Sequence, residues 1–346
     1  MNAIDFFCGG GGTTKGLINA GINVLFGLDN NPACHRTYSI NNRIPYVCQD
    51  IQTVSVERTI ELFPQAADND ELLMVGCAPC QPFSSQRKSS AAHVAHNLLD
   101  EFGRLVEGLL PAHIFVENVP LIRSRGTDVL QRFLCLLDCL GYCYVYETVN
   151  AMNYGVPQSR KRFVLLASRL FTPEIPLPTH GEGLKPFVTV RNTIAHYPPI
   201  AAGEQHQEIP NHVTSNISEL NLLRLNATPH DGGDRRAWTN KLHLSCHADY
   251  NGHTDVYGRM FWDKASPTLT SKCYSISNGR FGHPTQDRAI SLREAAALQS
   301  FPDDYIFYGA KKETGRQIGN AVPVLLAQTL GTYILNMHNS VSLLST

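Results

Sequence analysis

Short apolar runs alternate with helix-type patterns from Ala3 to about Ser168. The runs predict strands at Ile4–Phe7, Val24–Asp29, Leu72–Gly76, Ile114–Glu117, Tyr142–Val149 and Arg162–Ala167, with one more strand before Asp50. The intervening patterns predict helices at Asn31–Asn41, Val54–Phe63, Leu98–Leu110 and Asp128–Leu140. Such alternation indicates an α/β fold with a doubly wound, mostly parallel sheet, in which ligands bind beyond the carboxyl ends of the strands.

The alternation stops after Leu170, where frequent prolines break the pattern and no long amphipathic helix can be drawn before Ser291. It returns with Ser291–Ser300, where Ser291 and Glu294 have the spacing of a helix capping box, and with an apolar helix at Pro323–Leu335. We therefore expect a first domain made of residues 1–178 and 312–346, and a smaller, irregular and β-rich domain at 179–311.

Composition narrows the class of protein. With 346 residues, 17% charged residues and a net charge of −1, the chain is neither a disordered polyelectrolyte nor a uniformly basic protein, so any basic surface must be local. No apolar run approaches the roughly 20 residues of a membrane span, and we expect no membrane as a partner. The ten cysteines follow no leader-like segment, which predicts reduced thiols in the cytoplasm rather than a disulfide framework.

The first predicted strand leads into a glycine-rich turn, Cys8–Gly12, which lets the backbone approach a ligand closely. The turn lacks the third glycine of the dinucleotide fingerprint, and it is not a P-loop because Gly16 follows Lys15. Asp29, at the end of the second strand, is placed to accept hydrogen bonds from a ribose, and Asp50 follows the third strand. A tight turn with two surface acids is the alternative, but a nucleoside without a pyrophosphate fits these residues better.

Two cysteines follow the fourth predicted strand, and Cys77 and Cys80 have C-x-x-C spacing. No second pair stands opposite them at zinc-ligand spacing, which argues against a metal or redox site. Cys80 is a better candidate for a nucleophile, but a free thiol is only a few per cent ionised near neutral pH, so its surroundings must favour the thiolate. A thiol hydrolase would also need a partnered histidine, and the neighbouring strand-end segments contain none.

Charged residues lie at the ends of two further strands. Glu117 ends the fifth strand, where burial would raise its pKa and suit it to donate a proton, although a structural carboxylate is the alternative. Arg160 and Arg162 alternate on one face, an arrangement that can clamp a phosphate, although a solvated basic turn shows the same pattern.

Taken in order along the chain, these segments resemble those of the DNA cytosine-5 methyltransferases over essentially the whole length. The matching segments are the Phe7/Gly9/Gly11 loop, Asp29, Asp50, Pro79–Ser84, Glu117–Val119, Gln158–Arg162, Arg293–Ala296, Leu298–Pro302 and Gly319–Val322. The Pro-Cys-Gln-Pro-Phe-Ser and Glu-Asn-Val segments are specific in combination, and the shared order of all segments argues against coincidence.

The resemblance implies a covalent mechanism. Cys80 would attack C6 of a cytosine flipped out of the duplex, and Glu117 would contact N3 and the exocyclic amine of that ring. Arg160 and Arg162 would lie near the target nucleotide and the nucleophile. C5 would then take a methyl group from S-adenosylmethionine, which is chemically reasonable because C5 is a poor nucleophile until C6 is saturated.

The resemblance also implies a pocket for S-adenosylmethionine on a sheet of the methyltransferase type. Asp29 would bind the ribose hydroxyls, and Asp50 with Ile51 would lie at the adenine edge. The other residues implied for this pocket are Phe7, Gly9, Gly11, Pro79, Leu98 and Asn320. No metal is implied.

By the same resemblance, segment 179–311 corresponds to a target recognition domain. DNA contacts are implied for Ser84, Gln86, Arg87, Thr268 and Leu269. The loop after Ser84 lacks the glycines and the Asp-x-Arg-Gly segment of many relatives, which leaves its closure over DNA open. Seven cationic residues are candidates for base or phosphate contacts: Arg235, Arg236, Lys241, Arg259, Lys264, Lys272 and Arg280. A zinc site can be drawn from His243, Cys246, His247 and His253, but the family does not need one.

The expected protein is therefore a DNA (cytosine-5)-methyltransferase that acts as a monomer on double-stranded DNA, alone or as protection against a restriction endonuclease that cuts the same site. Two alternatives stay open. One is a tRNA cytosine-5 methyltransferase, whose branch carries a Cys-Phe-Thr segment that is not found here. The other is a catalytically silent DNA-binding relative, against which the presence of Cys80 and Glu117 argues.

Overall fold

A computed structural model describes residues 1–79, 98–244 and 255–344. The chain forms two compact units: the first comprises Met1–Tyr154, Lys161–Pro178 and Val322–Thr346, and the second Gly155–Arg160 and Thr179–Ala321. The predicted boundaries placed residues 155–160 and 312–321 with the first domain, whereas the compact second unit includes them. The roles expected for the two domains stay predictions.

The first unit is built on one seven-stranded sheet. Its strands are β1 (Asn2–Phe6), β2 (Asn23–Asp29), β3 (Tyr46–Cys48), β4 (Leu72–Gly76), β5 (His113–Asn118), β6 (Cys143–Asn150) and β7 (Lys161–Ser168). Their order is β3-β2-β1-β4-β5-β7-β6. The strands β1 to β5 pair in parallel, while β7 lies antiparallel between β5 and β6. The expectation of an α/β fold with a mostly parallel sheet is confirmed.

Helices occupy the connections of this sheet. Those of the first unit are α1 (Gly12–Asn19), α2 (His35–Asn42), α3 (Val56–Leu62), α4 (Leu98–Leu109), α5 (Ile122–Arg125), α6 (Thr127–Cys139) and, after the second unit, α11 (Val324–Leu344). The helix predicted at Asn31–Asn41 begins instead as the 3₁₀ turn Pro32–Cys34, because Pro32 starts the turn and the Asn31 side chain caps it by accepting from the Ala33 amide.

Apolar side chains from the sheet and from α4 and α6 form the main core of the first unit. The Phe6 ring on β1 meets Phe26 on β2 and Phe102 on α4, with ring centroids 6.2 and 5.7 Å apart. These edge-to-face contacts add to the stabilisation that burial alone provides, by about 0.5–1.5 kcal/mol for a pair. The core therefore fixes where each strand ends, and with it the position of the loops that follow.

The chain has an apolar stretch near its C-terminal end. By length and composition alone, Lys311–Val341, which includes the helix Lys311–Asn320 and most of α11, could cross a membrane. Of its most apolar stretch, 56% is buried inside the structure, and α11 packs against α1. This burial explains the apolar composition as that of a core helix.

The second unit is irregular, as expected, but the expectation that it is β-rich is wrong for its described residues 155–160, 179–244 and 255–321. Strand pairing there is limited to isolated bridges, and the helices are short: α7 (Val190–Ile194), α8 (Glu219–Asn226), α9 (Leu292–Leu298) and α10 (Lys311–Asn320). Buried side chains satisfy the backbone in place of a strand ladder. Arg259, which is fully buried, donates to four carbonyl oxygens, those of Leu225, Thr228, His283 and Gln286.

The capping box predicted for α9 is confirmed. The Ser291 hydroxyl accepts from the Glu294 amide at 3.0 Å, and the Glu294 carboxylate accepts from the Ser291 amide at 2.7 Å. Glu294 is also bound by both terminal nitrogens of Arg288, each at 2.7 Å. This buried ion pair holds the pKa of Glu294 below its usual value against the opposing effect of burial.

Candidate active site

The carboxyl ends of four parallel strands lie side by side along one edge of the first unit's sheet. In spatial order these strands are β2, β1, β4 and β5, and they end at Asp29, Phe6, Gly76 and Asn118. The strand order reverses between β1 and β4, since β2 and β3 extend to one side and β4 and β5 to the other. A crevice at such a reversal is where open α/β sheets bind their ligands.

Glycine makes the turn after β1 possible. Gly9 and Gly11 have φ values of 51° and 89°, in the left-handed region where a side chain would be strained. Gly11 lies directly before α1, and its amide donates to the Cys8 carbonyl at 2.9 Å. Phe7, with φ of 63°, enters the same turn half-buried. The backbone is therefore bare along the turn that the sequence predicted to face the cofactor.

Asp29 fastens this turn to the end of β2. One carboxylate oxygen accepts from the Gly9 amide at 3.0 Å, and the other accepts from the Asn31 amide at 2.9 Å. The residue is half-buried, and each oxygen of a carboxylate can accept two hydrogen bonds. Asp29 thus supports the turn, and its role toward a ribose stays a prediction.

Asp50 lies after β3 and begins the 3₁₀ turn Ile51–Thr53. Its Oδ1 accepts from the Gln52 amide at 3.0 Å, and its carbonyl accepts from the Thr53 amide at 2.9 Å. No donor among the described residues meets its Oδ2. Ile51 is buried in the main core, so this turn presents a partly exposed carboxylate on a rigid base.

The ends of β4 and β5 are tied to each other. Asn118 donates from its side-chain amide to the Ala78 carbonyl at 3.2 Å and accepts from the Val119 amide at 2.8 Å. Cys77 is half-buried with its Sγ 3.8 Å from the Thr13 hydroxyl, and burial together with nearby Glu117 raises the pKa of its thiol well above the usual value. Cys77 therefore stays protonated near neutral pH, which disfavours it as a nucleophile.

The other site residues predicted between β4 and α4 differ in exposure. Pro79 is exposed at the last described position before the gap, and Leu98 is half-buried as the first residue of α4. Cys80, Ser84, Gln86 and Arg87 lie outside the described residues.

Glu117 forms an ion pair with Arg162. The Arg162 Nε lies 2.7 Å from a carboxylate oxygen of Glu117, and the two side chains are only 12% and 11% exposed. Glu117 is on β5 and Arg162 on the adjacent antiparallel β7, so the sheet itself brings them together. A cation therefore contacts the Glu117 carboxylate directly, which the sequence did not indicate.

Arg160 does not share that position. It belongs to the second unit, is 2% exposed, and donates to the carbonyl oxygens of Leu269, Gly319 and Ala321 at 2.9 to 3.1 Å. The Arg160 guanidinium thus satisfies backbone oxygens that burial would otherwise leave without donors. The expected phosphate clamp of Arg160 with Arg162 stays a prediction.

The Thr268–Leu269 pair lies beside Arg160. The Thr268 hydroxyl donates to the Ser159 carbonyl at 2.7 Å, and the Leu269 amide donates to the buried Gln158 side chain at 2.9 Å. Thr268 is exposed whereas the Leu269 side chain is buried. Only Thr268 of this pair can present its side chain to a ligand.

The seven cationic residues that the sequence offered as candidates for DNA contacts separate into two groups. Arg259 and Arg235 are buried, and Arg280 and Arg236 are engaged by Asp234. Lys241, Lys264 and Lys272 are exposed. Arg259 is therefore excluded as a DNA contact. His243 lies against the Trp238 carbonyl, while Cys246, His247 and His253 lie outside the described residues.

Sequence reasoning missed a buried polar group beneath the glycine turn. Asp5 on β1 is fully buried, its Oδ2 accepts from the Thr14 hydroxyl at 2.7 Å, and Thr14 meets the Tyr38 hydroxyl at 2.9 Å. Burial raises the pKa of Asp5 to about 7, against the hydrogen bonds from Thr14 that lower it. A carboxylate in an otherwise apolar strand was the available signal. Asn320, implied for the same pocket, ends α10 in the second unit with an exposed side chain.

Three comparisons place the chain among known proteins. The profile of the C-5 cytosine-specific DNA methylase family matches residues 1–336. The Type II methylase M.HgiDII of Herpetosiphon aurantiacus is 41% identical over 340 residues, which cover 96% of this chain and 94% of that protein. The Type II methyltransferase M1.HphI of Haemophilus parahaemolyticus is 31% identical over 355 residues, which cover 98% of this chain and 88% of that protein.

A solved structure agrees on the fold. A DNA modification methyltransferase encoded within an E. coli prophage matches with a TM-score of 0.73 at 23% identity, over 98% of this chain and 99% of that one. At this identity the likeness supports the architecture of the sheet and its connections.

Proposed function

Since the chain belongs to the C-5 cytosine-specific DNA methylase family and is a DNA (cytosine-5)-methyltransferase, we propose that the strand-end site described above carries out its reaction. The observation that carries this proposal is the Glu117–Arg162 ion pair at the end of β5, next to the strand that leads toward Cys80. A carboxylate held by a guanidinium that is only 12% exposed has a fixed orientation and can contact one edge of a bound base.

The proposed chemistry assigns separate tasks to the protein's own groups. The Cys80 thiolate adds to C6 of a flipped cytosine, and this S–C6 bond places the negative charge on the ring. Glu117 contacts N3 and the exocyclic amine, and Arg162 holds Glu117 in place. After C5 is methylated, loss of the C5 proton and cleavage of the S–C6 bond restore the thiolate and the aromatic ring.

The residues of the first unit fit a nucleoside cofactor. When bound, S-adenosylmethionine supplies the methyl group. The glycine turn lets the backbone approach a ligand closely, Asp29 offers a half-buried carboxylate for the ribose, and Asp50 offers a carboxylate for the amine of adenine. A nucleoside needs two such acceptors and no phosphate site, which agrees with the absence of a P-loop in the sequence.

The second unit is proposed to hold the duplex as the target recognition domain. Exposed lysines at 241, 264 and 272 provide phosphate contacts, and Thr268 is available at the surface of a rigid loop. Ser84, Gln86 and Arg87 are proposed to contact the same DNA. We also propose that the enzyme acts in the cytoplasm as a monomer and, as a methylase similar to Type II methylases, protects a short duplex sequence from a restriction endonuclease.

Methylation of unmethylated genomic DNA, read by bisulfite sequencing, tests this proposal. We expect protected cytosines within one short sequence. Cys80→Ser should abolish methylation while leaving the dissociation constant for S-adenosylhomocysteine within about twofold. Glu117→Gln should lower the turnover number by about 10²–10⁴-fold at an unchanged thermal midpoint, which is the range for a residue that stabilises developing charge or moves a proton.

Two results would count against the proposal. Full turnover by Cys80→Ser would remove that thiol from the mechanism. An absence of protected cytosines in DNA, with cofactor binding intact, would favour the RNA-methylating or the catalytically silent alternative. Incubation with total tRNA would then separate those two.

A further inference from the structure

The turn that carries Asp50 is held by a residue that sequence reasoning did not single out. Arg104 on α4 donates from one terminal nitrogen to the Ile51 carbonyl at 3.1 Å and to the Val54 carbonyl at 3.0 Å. These carbonyls lie at the two ends of the segment that follows Asp50. The Ile51 carbonyl also accepts from the Val54 amide at 3.2 Å, so the Arg104 guanidinium supplies a second donor to that oxygen and a donor to the Val54 carbonyl beyond the turn.

A second contact orients this guanidinium. The Nε of Arg104 donates to the carboxylate of Glu101, one helical turn earlier on α4, at 2.9 Å. The Arg104 side chain is therefore held at both ends of its planar group, with the terminal nitrogen directed at the turn. Its side chain is 41% exposed, so these bonds compete with water and contribute little to the stability of the whole unit.

The helix that carries Arg104 is itself fixed against the same segment. A Cβ built at Gly108 would lie 2.4 Å from a methyl group of Val56, so α4 and the start of α3 approach as closely as a glycine allows. Leu105 of α4 is fully buried in the core cluster that includes Ile51 and Val54. Arg104 thus bridges two elements whose backbones cannot separate without disturbing the core.

The bridge joins two walls of the proposed cofactor pocket. Asp50 and Ile51 are implied for the adenine edge, and Leu98, implied for the same pocket, begins the helix six residues before Arg104. The Asp50 carboxylate uses Oδ1 to cap the turn, and no donor among the described residues meets Oδ2. The direction of the free oxygen therefore depends on the conformation of a turn whose far end Arg104 holds.

We propose that Arg104 is a positioning residue for recognition of the cofactor's nucleobase, acting through the Ile51–Thr53 turn to aim the Asp50 carboxylate at the exocyclic amine of adenine. This inference rests on the proposed function, because it assumes that the turn forms the base-binding wall. In this role Arg104 contacts neither the cofactor nor DNA. It contributes to discrimination between nucleobases and not to catalysis.

The test compares two ligands that differ only at the base. S-adenosylhomocysteine carries the exocyclic amine, and S-inosylhomocysteine carries an oxygen in its place. Wild-type protein should bind the adenosyl compound more tightly. Arg104→Met keeps the apolar stem but removes both hydrogen bonds to the turn, and it should raise the dissociation constant for S-adenosylhomocysteine about tenfold, as expected for two hydrogen bonds of ordinary strength. The preference over the inosyl compound should fall by a similar factor.

The chain offers matched controls. Arg132→Met removes a cation of similar exposure that contacts α4 through Asp100 and does not reach the turn, and it should change neither constant by more than about twofold. Glu101→Gln keeps the carbonyl contacts of Arg104 while weakening the contact that orients it, and it should give an intermediate loss. Arg104→Lys, which retains charge but not the planar group, should restore part of the preference.

Each outcome decides the matter. Equal weakening of both ligands by Arg104→Met would overturn the proposal, because the residue would then act on the fold of the pocket and not on base recognition. Binding within twofold of wild type would overturn it as well. If Arg104→Met does not fold, the ligand preference of Arg104→Lys and Glu101→Gln gives the same reading. If wild-type protein binds neither ligand, the proposed function itself fails, and this is distinguishable from a failure of the inference.

Discussion

Charged side chains serve opposite purposes in the two units. At the strand ends of the first unit, Asp29 and Asp50 are partly exposed, and each carboxylate accepts a hydrogen bond from a backbone amide. In the second unit, Arg259 and Arg160 are buried, and backbone carbonyls take up their donors. Charged residues thus lie partly exposed at the strand ends of one unit and replace regular secondary structure in the other.

A charged residue in a segment shared with a known family therefore does not necessarily bind a ligand. Irregular backbone leaves carbonyls without ladder partners, and a buried arginine can satisfy several of them at once. A parallel sheet satisfies its own backbone, so the polar residues at its carboxyl edge stay available for chemistry. This distinction between buried charges that bind the backbone and accessible charges at strand ends can be tested by substitution.

Loss of a buried arginine should cost the most. Arg259→Met removes the donor to four carbonyl oxygens and the ion pair with Asp287, and it should lower the free energy of unfolding by about 3–5 kcal/mol. Lys264→Met, in the same unit but exposed, should change it by less than about 0.5 kcal/mol. Urea denaturation followed by circular dichroism measures both. Equal stability of the two variants would show that burial does not distinguish these cations.

Substitution of Asp29 should have a smaller effect than loss of Arg259. It should weaken binding of the cofactor more than it lowers the free energy of unfolding. Asp29→Ala should weaken binding of S-adenosylhomocysteine by about 1–3 kcal/mol, because it removes the acceptor proposed for the ribose as well as the acceptor for the Gly9 amide. Asp29→Asn keeps one carbonyl oxygen and should lose less. Isothermal titration calorimetry gives both constants. An unchanged constant for Asp29→Ala would return this residue to the role of a turn support alone.

The smallest effect is expected in the pH dependence of stability, and it arises at the amino end of β5. Polar side chains are buried there, as they are in the second unit. His113 at the start of β5 meets Ser168 and His338, each at 3.1 Å, and His338 contacts Glu71 at 3.0 Å. Burial lowers the pKa of His113 to about 3, below the value of about 6.5 for an unfolded chain. Between pH 6.5 and 3, the His113 imidazole is therefore protonated in the unfolded chain and neutral in the folded protein. The free energy of unfolding falls as the pH drops from about 6.5 toward 3.

His113→Gln should flatten this dependence. Over the pH range below about 6.5, the variant should lose up to about 1.4 kcal/mol less per pH unit than the wild type. His283, whose pKa burial lowers to about 4, leaves some of the slope in place. His196→Gln, at a 57% exposed position, is the matched control and should leave the slope unchanged. Urea denaturation at a series of pH values measures it, and an unaltered slope in His113→Gln would contradict the assignment.

The strand pattern of the first unit could be predicted because each element carries its own signal. The predicted strand Leu72–Gly76 agrees residue for residue with β4, and the capping box at Ser291 and Glu294 has the predicted hydrogen bonds. Such signals depend on residues within one turn or one strand. The second unit carries no such local signal: its expected β-structure is wrong for the described residues, and distant side chains hold the backbone there.

For the site, sequence placed Asp29, Asp50 and Glu117 at strand ends, and the structure has them there. It could not separate Arg160 from Arg162, which stand two positions apart. The partners of Arg160 lie 109 to 161 positions further along the chain, whereas Arg162 meets Glu117 because β5 and β7 pair. Asp5 and Arg104 were missed for the same reason, since their partners come from other elements.

The alternating strands and helices, the glycine turn and the family could all be inferred from the sequence. Each of these depends on residues that are close along the chain or on the order of motifs along it. Which charged side chains face solvent and which bind the backbone became visible only in the folded structure. That choice depends on burial and on donors and acceptors that meet after the chain has folded, and a buried charge is stable only where those partners arrive together.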